Sequence, residues 1–277
     1  MNLAGKRVLI TGAGGGIGSA LVARIYNEGA SVLLTGRDDI QLRRIIATLG
    51  LNEERASYLV ADLARAADRT RLCAKATSWG NGIDVLINNA GVADFGLLGD
   101  RATVDIDHAV AVNLLAPMDL CRALLPYLRQ KPAAHIVNIG SVLGSIGVAG
   151  SSIYCATKFG LRGFSEALRR ETADTDVRVH YFAPRATRTA LNSHAVDELN
   201  AALGNAMDDA DAVAAQIVAL LQASRAEGVL GWPEKFFARI NALWPGVVDR
   251  ALRKQLPAIQ RFAQIQSTRS DLYRRTG

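Results

Sequence analysis

The feature that most constrains the fold is an alternation. Along the first 231 residues, short β-branched or apolar runs are each followed by a longer stretch whose apolar residues recur at three- and four-residue spacing. Strand-length runs occupy 7–11, 31–35, 57–61, 85–88, 135–139, 178–183 and 229–231, and helical patterns cover 17–28, 38–49, 66–79, 104–128, 154–173 and 210–223. A strand followed by a helix and another strand closes most readily as a right-handed parallel crossover. The expected fold is therefore α/β: a Rossmann-like, doubly wound, seven-stranded parallel sheet with helices on both faces.

The texture changes at Trp232. Pro233, Pro245 and Pro257 recur every twelve residues and cut the end of the chain into helix-length pieces, each with a proline placed to start it. Phe236, Phe237, Ile240, Leu243 and Trp244 fall on one helical face, and Val247, Val248, Ala251 and Leu252 on another. The chain thus divides into a body, 1–231, and an amphipathic helical C-terminal extension, 232–277. The Phe236–Trp244 face is expected to pack beside a substrate cleft, with peripheral contact to a membrane surface as the competing use.

Composition removes several classes of function. With 49% hydrophobic and 21% charged residues the chain has the make-up of a globular protein. Cys73, Cys121 and Cys155 are far apart, and His108, His135, His180 and His194 show no ligand spacing, so no metal site is expected. The opening MNLAGKRVLITGAG lacks the apolar stretch of a secretory signal, which points to the cytoplasm. Between 232 and 277 there are nine Lys/Arg and three Asp/Glu, a net +6 that equals the charge of the whole chain. A basic tail on a neutral body is not a nucleic-acid-binding pattern, and no such partner is expected.

The residues from Thr11 to Gly18, reading TGAGGGIG, follow a strand and open a helix. Such a turn lets backbone approach a pyrophosphate while helix-terminal N–H groups face the anion. Tyr154 and Lys158 lie four apart on one helix and so project together, and an ammonium beside a phenol favours its phenolate. Ser141 ends an apolar strand, at the sheet edge where open α/β folds bind ligands, and its hydroxyl can hold a substrate oxygen. Asn113 interrupts a helical pattern, as a kink, a water site or a solvent-facing residue. No G-x-S-x-G elbow surrounds Ser141, which argues against a hydrolase.

These motifs resemble the classical short-chain dehydrogenase/reductase family. The match runs in order through Thr11, Gly12, Gly16, Ile17 and Gly18, then Asp62, Asn88-Asn89-Ala90-Gly91, Asn113, Ser141 and Tyr154-x-x-x-Lys158. It covers residues 1 to about 231 and departs at Pro184-Arg185, where the family usually has Pro-Gly. The resemblance implies a catalytic set of Ser141, Tyr154, Lys158 and Asn113, with Tyr154 as proton donor or acceptor, Lys158 on the cofactor's ribose hydroxyls and Asn113 holding a relay water. It further implies Asp62 and Leu63 near the adenine, Asn89, Ala90 and Gly91 against the adenosine, and Pro184 with Thr187 or Thr189 near the nicotinamide amide or pyrophosphate. The small-molecule partner would be a carbonyl compound or its alcohol, and the enzyme a homodimer or homotetramer through helices 104–128 and 154–173.

Cofactor choice is read at the end of the second strand. Gly36 and Arg37 stand where an NAD-selective site carries an acid, so NADP(H) is expected over NAD(H), with Asp38 as a helix cap. Arg185 and Arg188 are read as solvated loop arginines or as contacts for an anionic substrate handle. Competing readings of the whole chain are a non-catalytic nucleotide-binding sensor and a peripheral lipid-surface protein.

Overall fold

All seven apolar runs of the body enter one sheet, and every pairing in it is parallel. The computed structural model describes residues 1–229 and 231–276; the side chains of 232–235 and 268–276, among them Lys235, are outside that description. In chain order the first half is β1 (Arg7–Thr11), α1 (Gly16–Asn27), β2 (Ser31–Gly36), α2 (Asp39–Thr48), β3 (Ala56–Val60), α3 (Ala66–Ser78) and β4 (Val85–Asn88). Next come α4 (Thr103–Val110), α5 (Ala116–Leu128), β5 (Ala134–Ile139), α6 (Ser152–Glu171) and β6 (Val177–Ala183). A two-residue pair, β7 (Thr187–Arg188) with β8 (Asp208–Asp209), flanks α7 (His194–Ala202), and α8 (Ala210–Gln222) and β9 (Glu227–Val229) complete the body. The extension holds α9 (Trp232–Leu243), α10 (Pro245–Arg253) and α11 (Leu256–Thr276).

The strand order β3-β2-β1-β4-β5-β6-β9 reverses direction between β1 and β4, which opens a crevice above their carboxyl ends. Alternation along the strands feeds two cores. Val8 and Ile10 pack with Leu21, Ile25 and Ile217 on one face, while Leu9 packs with Leu72, Leu120 and Leu124 on the other. The sheet is thus covered on both sides, as parallel sheets require.

Three departures from the sequence reading have clear causes. The last strand is Glu227–Val229 rather than 229–231, because Gly231 sits at φ 92° and turns the chain into α9; Leu230 lies outside the described residues. The segment 185–209 contains α7, whose start is capped by the Ser193 hydroxyl accepting from Val196 N and whose Ala195 and Leu199 are buried against α11. Only that tertiary contact distinguishes so short a helix from a loop. The pattern 104–128 is one continuous helix broken by a wide π-helical turn at Ala111–Leu115. By length and composition this helix could cross a membrane, yet Leu120, Leu124 and Leu128 are fully buried beneath the sheet.

The extension behaves differently from the expectation. Each of its helices starts at a proline or one residue before it, but Phe236, Phe237, Leu243 and Trp244 are 55%, 47%, 68% and 63% exposed. The α10–α11 portion supplies the covering face instead: Val248, Ile259 and Phe262 are buried, the last two against Phe95 and Leu199. With that place taken, α9 meets the body through Asn241, whose Nδ2 donates to Ser145 O at 2.9 Å, and through Phe237 at the cavity wall.

A buried pair in the sheet makes the fold acid-sensitive. His135 Nδ1 and His180 Nε2 lie 2.8 Å apart in stacked rings, and burial with the neighbouring imidazole pushes His135 down to about 3; His180 is also lowered by burial. The unfolded chain therefore binds more protons than the native one below an ordinary histidine pKa of about 6.5, and stability falls as pH drops from there. Thermal unfolding should show a midpoint that declines between pH 7 and pH 5, and His135→Gln should flatten the decline. An equal slope in that variant would remove the pair from the account.

Candidate active site

The glycine turn is shaped by close approach. Gly12 has φ 64°, and a Cβ there would lie 2.7 Å from Ala90 Cα; at Gly18 it would lie 2.1 Å from Gly12 O. No larger residue fits either position. Asn89 Nδ2 donates to Thr11 O at 2.9 Å and Gly12 O at 3.1 Å, and Thr11 Oγ1 accepts from the N–H groups of Asn89 and Ala90. Asn89 thus splices β4 to the turn. Thr11 lies behind the cavity wall, and Gly12, Gly16, Ile17, Gly18, Asn89, Ala90 and Gly91 line it.

At the far end of the turn, Arg37 and Asp38 are exposed at the rim, with Asp62 and Leu63 also lining the cavity. Asp38 Oδ1 accepts from Gln41 N at 3.1 Å, so it does cap α2. Gln41 went unnoticed in the sequence. Its side chain folds back over the turn, since a Cβ on Gly14 would meet Gln41 Oε1 at 2.4 Å. Only the crossing of α2 over the turn brings them together.

The polar groups of the second half converge beyond β5. The Ser141 hydroxyl lies close enough to Tyr154 to favour its phenolate, and Ser141 Oγ accepts from Leu143 N at 3.1 Å. Lys158 Nζ sits 5.6 Å from the Tyr154 ring centroid and donates to Ile139 O at 2.9 Å, leaving two of its three donors for other partners. Burial dominates the electrostatics. It pushes the Tyr154 phenol up to about 12, against the lowering effect of the Ser141 hydroxyl, and pushes Lys158 down to about 8. The Tyr154 phenol is thus raised rather than lowered, because removal from water outweighs what favours the phenolate.

Asn113 is buried rather than solvent-facing, in the π-helical turn between α4 and α5. Its Oδ1 accepts from Val92 N at 2.8 Å, and its Nδ2 donates to Val92 O at 2.9 Å and Thr157 Oγ1 at 3.2 Å. It clips the loop after β4 to α6 from behind the wall. Gly91 makes room there, since a Cβ on it would lie 3.3 Å from Asn113 Oδ1 and 3.7 Å from Lys158 Nζ. Tyr181 of β6 is a second residue the sequence did not reveal. It is 2% exposed, its hydroxyl donates to Ser141 O at 3.3 Å, and its ring fills the space a Cβ on Gly140 would take.

After β6, Val142 N donates to Pro184 O at 3.0 Å, joining this segment to the Ser141 loop. Thr189 lies against Gly16, where a Cβ would be 2.7 Å from its Cγ2, whereas Thr187 is buried and donates to Arg185 O. Thr189 is therefore the threonine at the glycine turn. Arg185 is not a solvated loop arginine: it grips Asp208 with a two-pronged contact at 2.8 and 2.6 Å, while Arg188 pairs more loosely with Asp209 at 3.3 Å. These bonds hold β7 to β8.

One cavity of about 1170 Å³ joins all these walls, larger than most single-ligand pockets. Beyond Ser141 and Tyr154 its lining is largely apolar, with Phe95, Val142, Ile146, Leu199, Val248 and Ile259, interrupted by Asp94, Asn192, Asn200 and Gln255. No cluster that could hold a metal ion occurs among the described residues. The glycine turn fits a dinucleotide pyrophosphate, for the space that side chains would fill is left to backbone.

Known proteins match this arrangement. The family model described as short chain dehydrogenase matches residues 6–200. Nodulation protein G of Rhizobium sp. (strain N33) is 34% identical over 233 residues, 83% of this chain and 94% of its own length. The 3-oxoacyl-acyl-carrier-protein reductase FabG of Haemophilus influenzae is 32% identical over 219 residues, 76% of this chain and 89% of its own length. A short-chain dehydrogenase from Sphingobium yanoikuyae, solved in complex with NADPH, superposes with a TM-score of 0.74 at 28% identity, covering 88% of this chain and 96% of that one. One from Burkholderia phymatum, solved with NAD, gives 0.81 at 24% identity, covering 89% and 96%.

Proposed function

The chain belongs to the short-chain dehydrogenase/reductase family, and on that premise we propose that it is an NADP(H)-dependent enzyme interconverting an apolar ketone or aldehyde and its alcohol. The observation that carries this reading is the meeting of Ser141, Tyr154 and Lys158 in the one cavity that the glycine turn also lines. The nicotinamide, when bound, supplies or takes the hydride. Gly12, Gly16, Gly18 and Thr189 would hold its pyrophosphate, Asn89, Ala90 and Gly91 the adenosine, Asp62 and Leu63 the adenine, and Arg37 the 2′-phosphate.

The chain's own residues then manage the proton. The Ser141 hydroxyl holds the carbonyl oxygen and strengthens its bond as charge develops there. Tyr154, with its phenol pushed up to about 12, stays protonated at neutral pH and gives Oη–H to the forming alkoxide. Lys158, a cation below about 8, steadies the phenolate left behind and turns its free donors to the ribose. Asn113, fixed by Val92 and Thr157, completes the set as the support of the relay that returns a proton to Tyr154.

Apolar walls favour an apolar substrate, and the similarity to a 3-oxoacyl reductase puts acyl thioesters among the candidates. With Arg185 and Arg188 both engaged by aspartates, an anionic handle finds little support there. Exposed Val104 on α4, Leu115 in the π-helical turn, Met118 on α5 and Phe159 on α6 suit a homodimer or homotetramer. NADPH absorbance loss across a panel of 3-oxoacyl thioesters, steroid ketones, aldehydes and sugars tests the function. Turnover should be strongest with bulky apolar carbonyls and weakest with sugars; NADPH binding without oxidation by any member would leave a nucleotide-binding sensor instead.

A further inference from the structure

The exposed face of the extension, which meets the cavity only at Phe237, has a composition of its own. Phe236, Phe237, Leu243, Trp244 and Val247 are each 47–68% exposed within a span of twelve residues. Isolated apolar side chains at a surface are ordinary, but five large exposed ones in so short a span, with the rings of Phe236 and Phe237 meeting edge to face at 6.4 Å, make this segment unusually apolar for a surface. On α10 the two faces separate by position. Val248, Leu252 and Gln255 follow one another at four and three residues and line the cavity. Val247, Arg250 and Lys254, at three and four residues, share the outward side and are all exposed.

Charge decides what such a patch meets. From Phe236 to Ser267 the sequence carries Arg239, Arg250, Arg253, Lys254 and Arg261 against the single acid Asp249. The whole of the protein's net +6 resides in the extension, and residues 1–231 are neutral, with 23 Lys/Arg and 23 Asp/Glu. A second copy would bring the same positive charge to the same face and repel it. An anionic bilayer answers both features: aromatic rings seat at the headgroup level while arginine and lysine reach the phosphates around them.

We propose that the exposed Phe236–Val247 face and the Arg239, Arg250 and Lys254 rim dock the enzyme on an anionic membrane surface. Phe237 lies at once on this face and in the wall of the cavity, and Val248 and Leu252 line the cavity just behind it. Docking therefore sets the mouth of the apolar cleft against the bilayer, the source of an apolar carbonyl substrate. That last step rests on the catalytic reading; the docking does not.

Full-length protein sedimented with vesicles of phosphatidylcholine and phosphatidylserine, and with phosphatidylcholine alone, provides the test. Binding should require the anionic lipid and weaken steeply from low to high salt. Arg250→Gln with Lys254→Gln should reduce partitioning roughly thirtyfold, at about fivefold for each basic residue near the surface. Phe236→Ser with Trp244→Ser should abolish it. None of these four residues lines the cavity, so NADPH binding and turnover of a water-soluble ketone should stay at the wild-type level in both variants, which also verifies their folding. Equal sedimentation of wild type and variants, or no vesicle binding at low salt, overturns the proposal. So does self-association in sedimentation equilibrium that the same substitutions abolish without any vesicle binding, which would make a second copy the occupant. Vesicle binding by a protein that turns over no carbonyl would sink the catalytic reading and leave the docking intact.

Discussion

Replacing Tyr154 with phenylalanine should lower carbonyl turnover by about 10²- to 10⁴-fold, the range expected when a positioned proton donor is removed. The substitution deletes one oxygen from a half-buried ring and leaves the rest of the wall in place. Lys158 keeps its bond to Ile139 O, and the Asn89 splice that shapes the glycine turn lies on another element. NADPH affinity, followed by the fluorescence of the bound nucleotide, should therefore stay within a few-fold of wild type, an effect well under 1.4 kcal/mol. The loss should appear in kcat and kcat/KM alike, because the proton is needed only in the transition state. A variant that turns over within about tenfold of wild type would reject Tyr154 as the acid and move attention to Ser141 or to water.

Arg37→Ala should weaken NADPH binding by roughly ten- to a hundredfold and leave NADH nearly untouched. A charge-assisted contact to the 2′-phosphate is worth about 1.5–3 kcal/mol. Three features place the burden on this residue. Arg37 is exposed at the cavity rim and makes no ion pair among the described residues. Gly36 beside it offers no side chain, and Asp38 is engaged in capping α2, where its carboxylate serves the Gln41 amide. Paired titrations with the two nucleotides, wild type against variant, decide the matter. Equal losses for NADPH and NADH, or a wild-type protein that prefers NADH, would overturn the assignment.

What sequence alone determined about this protein is what depends on short-range periodicity and on residues with unusual backbone freedom. Strands β1 and β4 are found at the predicted residues, and the others within about two, because a β-branched run buried on both faces has no competing use. Gly12 and Gly18 were legible for the same kind of reason: the backbone closes on itself there, and only glycine permits it. Tyr154 and Lys158 could be paired because one turn of helix sets their spacing.

Tertiary structure alone decided which distant groups would stand behind them. Tyr181 under Ser141, Gln41 over Gly14 and Thr157 on Asn113 are contacts between separate elements, and no local pattern in the chain marks them. The same holds for electrostatics: four-residue spacing brings Lys158 to Tyr154, but how far each is removed from water depends on walls drawn from half the molecule. The extension shows the division most clearly. Its amphipathic faces could be read from sequence, and the one that would be buried could not. Periodicity shows only that a helix has an apolar side; the space left beside Phe95 and Leu199 admitted Ile259 and Phe262 and left Phe236 and Trp244 outside.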